Sequence, residues 1–178
     1  MSITASERLD QIKVTVALFN AAPGAVYLTN FVPFAGNTGA LITELVNDPA
    51  FTAIYPTYLT DAEFAGRFID SLIGGATVGG ANPTATIDNA KSFYAARLAA
   101  GETRADIARD LIYDLGVTSE SDTVWGNVAK QFNNKVAVAE YYSVDLHGSA
   151  TSVGALQAVI AGVTATTPVA TAADKNAA

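Results

Sequence analysis

Apolar side chains recur every three or four residues along most of this chain, and no stretch alternates strictly between apolar and polar positions. The spacing therefore predicts helices and no strand. A first helix starts near Ser2 or Thr4 and runs to about Asn20, with Leu9, Ile12, Val16 and Phe19 as its core stripe. Pro23 suits the first turn of a short second helix through Val26, Leu28 and Phe31, because the missing N–H has no partner to lose there. Asn37 can cap a third helix carrying Leu41, Ile42, Leu45 and Val46, which Asp48-Pro49 ends. Ala50 to Tyr55 reads as a short helical or irregular link. Thr60-Asp-Ala-Glu63 is a capping box, in which hydroxyl and carboxylate each accept from a free backbone N–H. Loss of Thr60 is expected to cost about 1 kcal/mol. The stripe behind that box is Phe64, Phe68, Ile69 and Leu72.

A glycine-rich stretch, 74–83, then reads as a connector between two helical halves. It lacks the Gly-Lys-Ser/Thr of a phosphate loop. Beyond it a helix from about Thr84 to Ala100 is expected to turn Ile87, Phe93, Tyr94 and Leu98 inward. Thr103 caps the next, with Ile107, Ala108, Leu111 and Leu115 as core and Gly116 as its stop. A long helix begins after Ser121 or Asp122 and extends toward Leu146, with Trp125, Val128, Phe132, Val136, Ala139 and Tyr142 on one stripe. Ser149 or Ser152 starts a last helix with Val153, Leu156, Val159 and Ile160. The expectation is an all-α, compact bundle of seven or eight short helices, with 1–163 as one helical domain and 164–178 as a flexible tail. Phe64 to Leu72 lines up with Val128 to Val136. That echo leaves open two related helical halves or the chance likeness of two core helices.

Two segments carry more than periodicity. Trp125-Gly-Asn-Val-Ala-Lys-Gln-Phe-Asn-Asn-Lys-Val-Ala-Val-Ala-Glu-Tyr-Tyr-Ser-Val and Asp48-Pro-Ala-Phe-Thr-Ala-Ile-Tyr-Pro-Thr-Tyr-Leu-Thr-Asp-Ala-Glu-Phe-Ala-Gly-Arg-Phe-Ile-Asp-Ser-Leu resemble, in order and separation, the helical N-terminal domain of bacterial S-layer and hemolysin-type surface proteins. The resemblance spans roughly Asp10 to Val163. It implies a non-catalytic extracellular protein that self-assembles into a surface layer, sheath or filament, exported by type I secretion from a Gram-negative cell. It also implies an alternative, a monomeric anchoring module that binds lipopolysaccharide or another carbohydrate. The calcium-binding nonapeptide repeats common in larger relatives are missing, and the short length leaves open a small self-assembling subunit or an excised domain.

Composition bears on these readings. Half of the 178 residues are hydrophobic and only 15% are charged, so small and neutral side chains must cover much of the surface. The net charge is −7, and Arg67 is the one basic residue between Val14 and Ala90, a pattern that disfavours nucleic acid as a partner. There is no cysteine, so disulfide scaffolds, thiolate metal sites and cysteine nucleophiles are excluded. The N-terminus lacks the basic start and apolar run of a Sec-type signal, and no window approaches the ~20 apolar residues of a membrane span. These absences leave a cytoplasmic protein or one exported by a route that reads another signal. The resemblance implies the latter, a secreted or cell-surface protein with an uncleaved C-terminal signal, and the Ala/Thr-rich tail is compatible with such a signal or with a linker.

Candidate chemistry is sparse. The single histidine, His147, follows Asp145 and precedes Ser149, but no GxSxG elbow or HExxH motif accompanies it. No catalytic residue and no cofactor is assigned, and no enzymatic activity is expected. Asp106, Asp110 and Asp114 share a helical face, where they are either well hydrated or bind calcium. Tyr58, Tyr141 and Tyr142 are the candidate interface residues. Adjacent tyrosines on a helix diverge by about a hundred degrees, which leaves open one of Tyr141 and Tyr142 exposed or in a subunit contact, or both tucked into a helix junction.

Overall fold

The computed structural model describes residues 3–178, and every regular element in them is helical. The order is α1 (Ala5–Phe19), α2 (Gly24–Phe31), a 3-10 turn (Val32–Phe34), α3 (Thr38–Val46), α4 (Pro49–Ile54), α5 (Asp61–Ile73), α6 (Pro83–Ala99), α7 (Arg104–Val117) and α8 (Gly126–Glu140). A π-helical turn (Tyr141–Asp145), α9 (Val153–Ala158) and α10 (Ala172–Ala177) complete it. The all-α expectation is met. The extra helices are short: α4 occupies the expected link after Asp48, and α10 lies in the expected flexible tail.

Capping explains most of the boundaries. Thr4 and Glu7 form a capping box at α1, so of the two expected starts Thr4 is the one used; Ser2 lies outside the described residues. Thr60–Glu63 and Thr103–Asp106 form further boxes at α5 and α7. Asn37, Asp48 and Asn82 each accept a backbone N–H at the starts of α3, α4 and α6. At α8 the expected cap is present one step removed. The Asp122 carboxylate accepts from the N–H groups of Val124 and Trp125 at 2.8 and 2.7 Å, and the helix proper begins at Gly126.

α1 is the central element, in contact with α8, α3, α7, α2 and α4. All six residues from Val14 to Phe19 are buried, so its second half has no solvent face and the expected single stripe widens to the whole circumference. Its polar members are partly satisfied: Thr15 donates to the Gln11 carbonyl and the Gln11 amide N–H donates to the Phe31 carbonyl, while the Gln11 side-chain oxygen is buried without a partner. A cluster of rings fills the space between α1, α4 and α5, with Phe64 and Phe68 stacked and Phe51 and Tyr55 meeting them. Phe51, Phe64 and Phe68 have no exposed surface.

The glycine-rich connector does not separate two halves. It joins α5 to α6, the pair with the most extensive mutual contact in the fold, so it lies within one packed body. It is also pinned to the loop before α8. The Gly79 N–H donates to the Val124 carbonyl at 2.8 Å, and a Cβ at Gly79 would lie 2.0 Å from the Thr123 carbonyl oxygen. Only glycine permits that approach. The C-terminal segment is held as well, with the Asn134 amide donating to the Thr164 and Thr167 carbonyls while α10 touches α8.

The expected long helix reaches Leu146, but its last turn is not α-helical. At Tyr141 the α-helix widens into the π-helical turn, and His147 takes the left-handed conformation at φ 49°. Gly148 then passes under the Tyr142 ring so closely that a Cβ would sit 2.0 Å from a ring carbon. The buried Ser143 hydroxyl accepts from the Gly24 N–H, and the Gly148 carbonyl accepts from the Ala25 N–H. This widened turn is thus the seat on which α2 begins.

Candidate functional site

A cleft of about 580 Å³ opens between α5, α6, α7 and the start of α8. Ile69, Leu72 and Ile73 form one wall, Leu111 and Leu115 another, and Trp125 with Val128 close its end. Its volume falls within the roughly 300–1,000 Å³ of small-molecule sites. Polar groups are few: Thr86, Asn89, Tyr94, Asp114 and Thr118.

One hydrogen bond organises the polar side. The Tyr94 hydroxyl donates to the Asp114 carboxylate at 3.0 Å. Burial, reinforced by that carboxylate, pushes the Tyr94 phenol well above its ordinary range and keeps it a proton donor. The nearby Arg97 does not serve Asp114. Its guanidinium bridges Glu102 and Asp110 and lies over the Phe93 and Tyr94 rings. Hydrogen bonds to Glu102 and then Asp110 hold Arg97 firmly in its charged form.

The expected carboxylate face comes apart into three separate environments. Asp106 closes the α7 capping box and pairs with Arg109, and the Thr103 hydrogen bonds hold its carboxyl below the usual range. Asp110 pairs with Arg97, and Asp114 serves Tyr94. Among the described residues no group of three Asp, Glu or His side chains is placed to hold a metal ion. The three carboxylates do not converge on a calcium site, because each meets its own partner from the neighbouring turn or helix.

The candidate interface tyrosines also part company. Tyr58, on the loop between α4 and α5, is 82% exposed. Tyr141 and Tyr142 are both half-buried in the π-helical turn, and the Tyr142 hydroxyl accepts from the Ala150 N–H. Tyr142 is therefore occupied within the chain. Phe93 and Trp125 are among the expected core residues that are not fully buried. Phe93 is 58% exposed on the rim of the cleft while its neighbour Tyr94 takes the inward position, and Trp125 is only half-buried in the cleft wall. His147 is exposed, and among the described residues its side chain makes no hydrogen bond to Asp145 or a serine.

Sequence reasoning had no means of finding the cleft, since its walls come from four helices whose relative placement no local pattern encodes. The clue available was the pair Phe93–Tyr94, two aromatics that cannot share one helix face. Among the described residues no single helix is long and apolar enough to cross a membrane. Comparison of the chain with protein-family models, with curated proteins and with solved structures finds no match.

Proposed function

We propose that this protein is a non-catalytic extracellular structural subunit whose functional form is a self-assembled polymer, a layer, sheath or filament at the cell surface. The observation that carries the reading is the set of large apolar side chains left in water. Tyr58, Tyr113, Val117 and Phe93 are 82%, 68%, 61% and 58% exposed, and Val26 and Leu146 are also exposed. Single exposed apolar residues are ordinary, but Phe93 and Val117 both border an apolar cleft, which makes a contiguous surface. Aromatic residues on a weakly charged surface are the composition of association interfaces, where close approach strips few ions of water.

The surface-protein resemblance of 48–72 and 125–144 supports the same reading and adds the location. Recovery of the native protein from the medium or cell surface supports the location, and recovery solely from cytosol contradicts it. The assembly itself is tested by electron microscopy of purified protein over a range of concentrations. Ordered sheets or filaments support the proposal, and their absence at every concentration moves the reading to a monomeric anchoring module.

A further inference from the structure

The α5–α8 cleft has a feature that self-association does not require: an anionic group at its polar side that no cation in the chain answers. Asp106 and Asp110 each have an arginine partner, whereas Asp114 forms no ion pair among the described residues. Asp114 is solvent-exposed at the cleft mouth, and its carboxylate accepts one hydrogen bond, from the Tyr94 hydroxyl. No lysine, arginine or histidine lines the cleft, and Arg97, which lies over the Tyr94 ring, is committed to Glu102 and Asp110. The carboxylate keeps acceptor capacity beyond that single bond. The rest of the lining is chiefly aliphatic, which suits an alkyl or aryl body. A polyol would leave its hydroxyls unpaired against such walls.

We propose that this cleft binds a small, freely diffusing amphiphile with an apolar body and a cationic, hydrogen-bond-donating head, in the manner of an alkylammonium ion. The body lies against Leu72, Trp125 and Val128, and the head meets Asp114. An anionic amphiphile would bring like charge to Asp114 and find no cation in the lining. A neutral one would gain the apolar contacts alone. The inference does not depend on the assembly reading: a chain that never polymerises can fill the cleft, and one that polymerises can leave it empty.

Trp125 makes the test direct, because it is the sole tryptophan and part of the cleft wall. Octylammonium, octanol and octanoate are titrated below their aggregation concentrations into dilute full-length protein, and Trp125 emission is followed. Octylammonium is expected to give a saturable one-to-one response, roughly two- to fivefold tighter than octanol, the range of an exposed charge pair. Octanoate should be weakest. Asp114→Asn should remove the advantage of the amine over the alcohol while leaving octanol binding in place. Ala90→Phe, which fills the cleft from α6, should abolish the response to all three, with circular dichroism reporting whether that variant is folded. No saturable response to octylammonium, equal affinity for octylammonium and octanoate, or an ammonium preference that survives in Asp114→Asn overturns the proposal. So does comparable binding of a simple hexose.

Discussion

Replacing Arg104 with methionine should destabilise the protein by about 2–3 kcal/mol, although the residue sits at the first position of α7 and is only half-buried. Its guanidinium donates to the carbonyls of Tyr55, Pro56 and Leu59 at 2.9, 3.2 and 3.2 Å, and lies 4.4 Å from the centre of the Phe64 ring. The three carbonyls belong to the loop between α4 and α5, so one side chain ties that loop to α7. Hydrogen bonds to charged groups contribute roughly 1.5–3 kcal/mol each when fully enclosed. Partial exposure lets water replace part of each, and the bonds share one donor group, so a simple sum would overshoot. Methionine retains most of the apolar stem and removes the fork. With an urea dependence of about 2 kcal/mol per molar, the unfolding midpoint should fall by about 1 M. Arg104→Lys should lie between the two, since an ammonium keeps the charge but cannot span three acceptors in one plane.

A double-mutant cycle isolates the ring contact. Phe64→Leu preserves apolar volume and removes the π face, so the coupling between Arg104→Met and Phe64→Leu should be about 0.5–2 kcal/mol. Urea unfolding followed by circular dichroism and by Trp125 emission reads both quantities. If Arg104→Met lies within about 0.5 kcal/mol of wild type, the loop is not held by this residue and the reasoning fails. If the cycle is additive within that margin, the ring contact contributes nothing.

Three further outcomes are expected. Gly148→Ala should cost more than about 2 kcal/mol, because the new methyl occupies the space of the Tyr142 ring, and Tyr142→Ala in the same chain should recover part of that loss; additive thermal-melt shifts would contradict it. Backbone N–H bonds hold the capping carboxylates Glu7, Glu63 and Asp122 below their ordinary ranges, and the Thr103 hydroxyl with the Thr103 N–H does so for Asp106. Their stabilisation is complete above the unfolded pKa values near ~4 and is lost as pH falls through the depressed folded ones, so Glu63→Gln should flatten the acid limb of a stability–pH curve. Lys135 is buried, donates to the Asn20 side-chain oxygen at 2.8 Å, and has its pKa lowered by that burial. Its charged form is thus disfavoured in the fold, and wild type should gain stability relative to Lys135→Met as pH rises from the lowered folded value toward the unfolded ~10.4; parallel curves would show that the amine is not desolvated.

How much of this was legible depended on whether a signal was local. The box at Thr60, the caps at Asn37 and Thr103, the stop at Asp48-Pro49, and the buried stripe of Phe64, Phe68, Phe132 and Val136 follow from residues within one or two turns of each other. Phe93 defeated the same reasoning because α6 has two adjacent aromatics and no dominant apolar face, so packing against α7 decided which turned inward. α1 was legible as a helix but not as the central one, since burial on all sides is a property of its neighbours. The Asp106, Asp110 and Asp114 stripe shows the same limit: spacing placed them on one face, while Arg97 on α6, Tyr94 on α6 and the α7 cap drew them apart. The widened turn at Tyr141 comes from a tertiary demand, the seating of α2 on Ser143 and Gly148.

Self-association of the folded chain is the central claim, and sedimentation velocity over a wide concentration range addresses it most directly. The account predicts a sedimentation coefficient that climbs with concentration into large, ordered species. Replacing the exposed rings, Tyr58→Ser with Phe93→Ser, should shift that climb to higher concentration while the helical circular dichroism signal is retained. A single boundary at the monomer position at every concentration would contradict it.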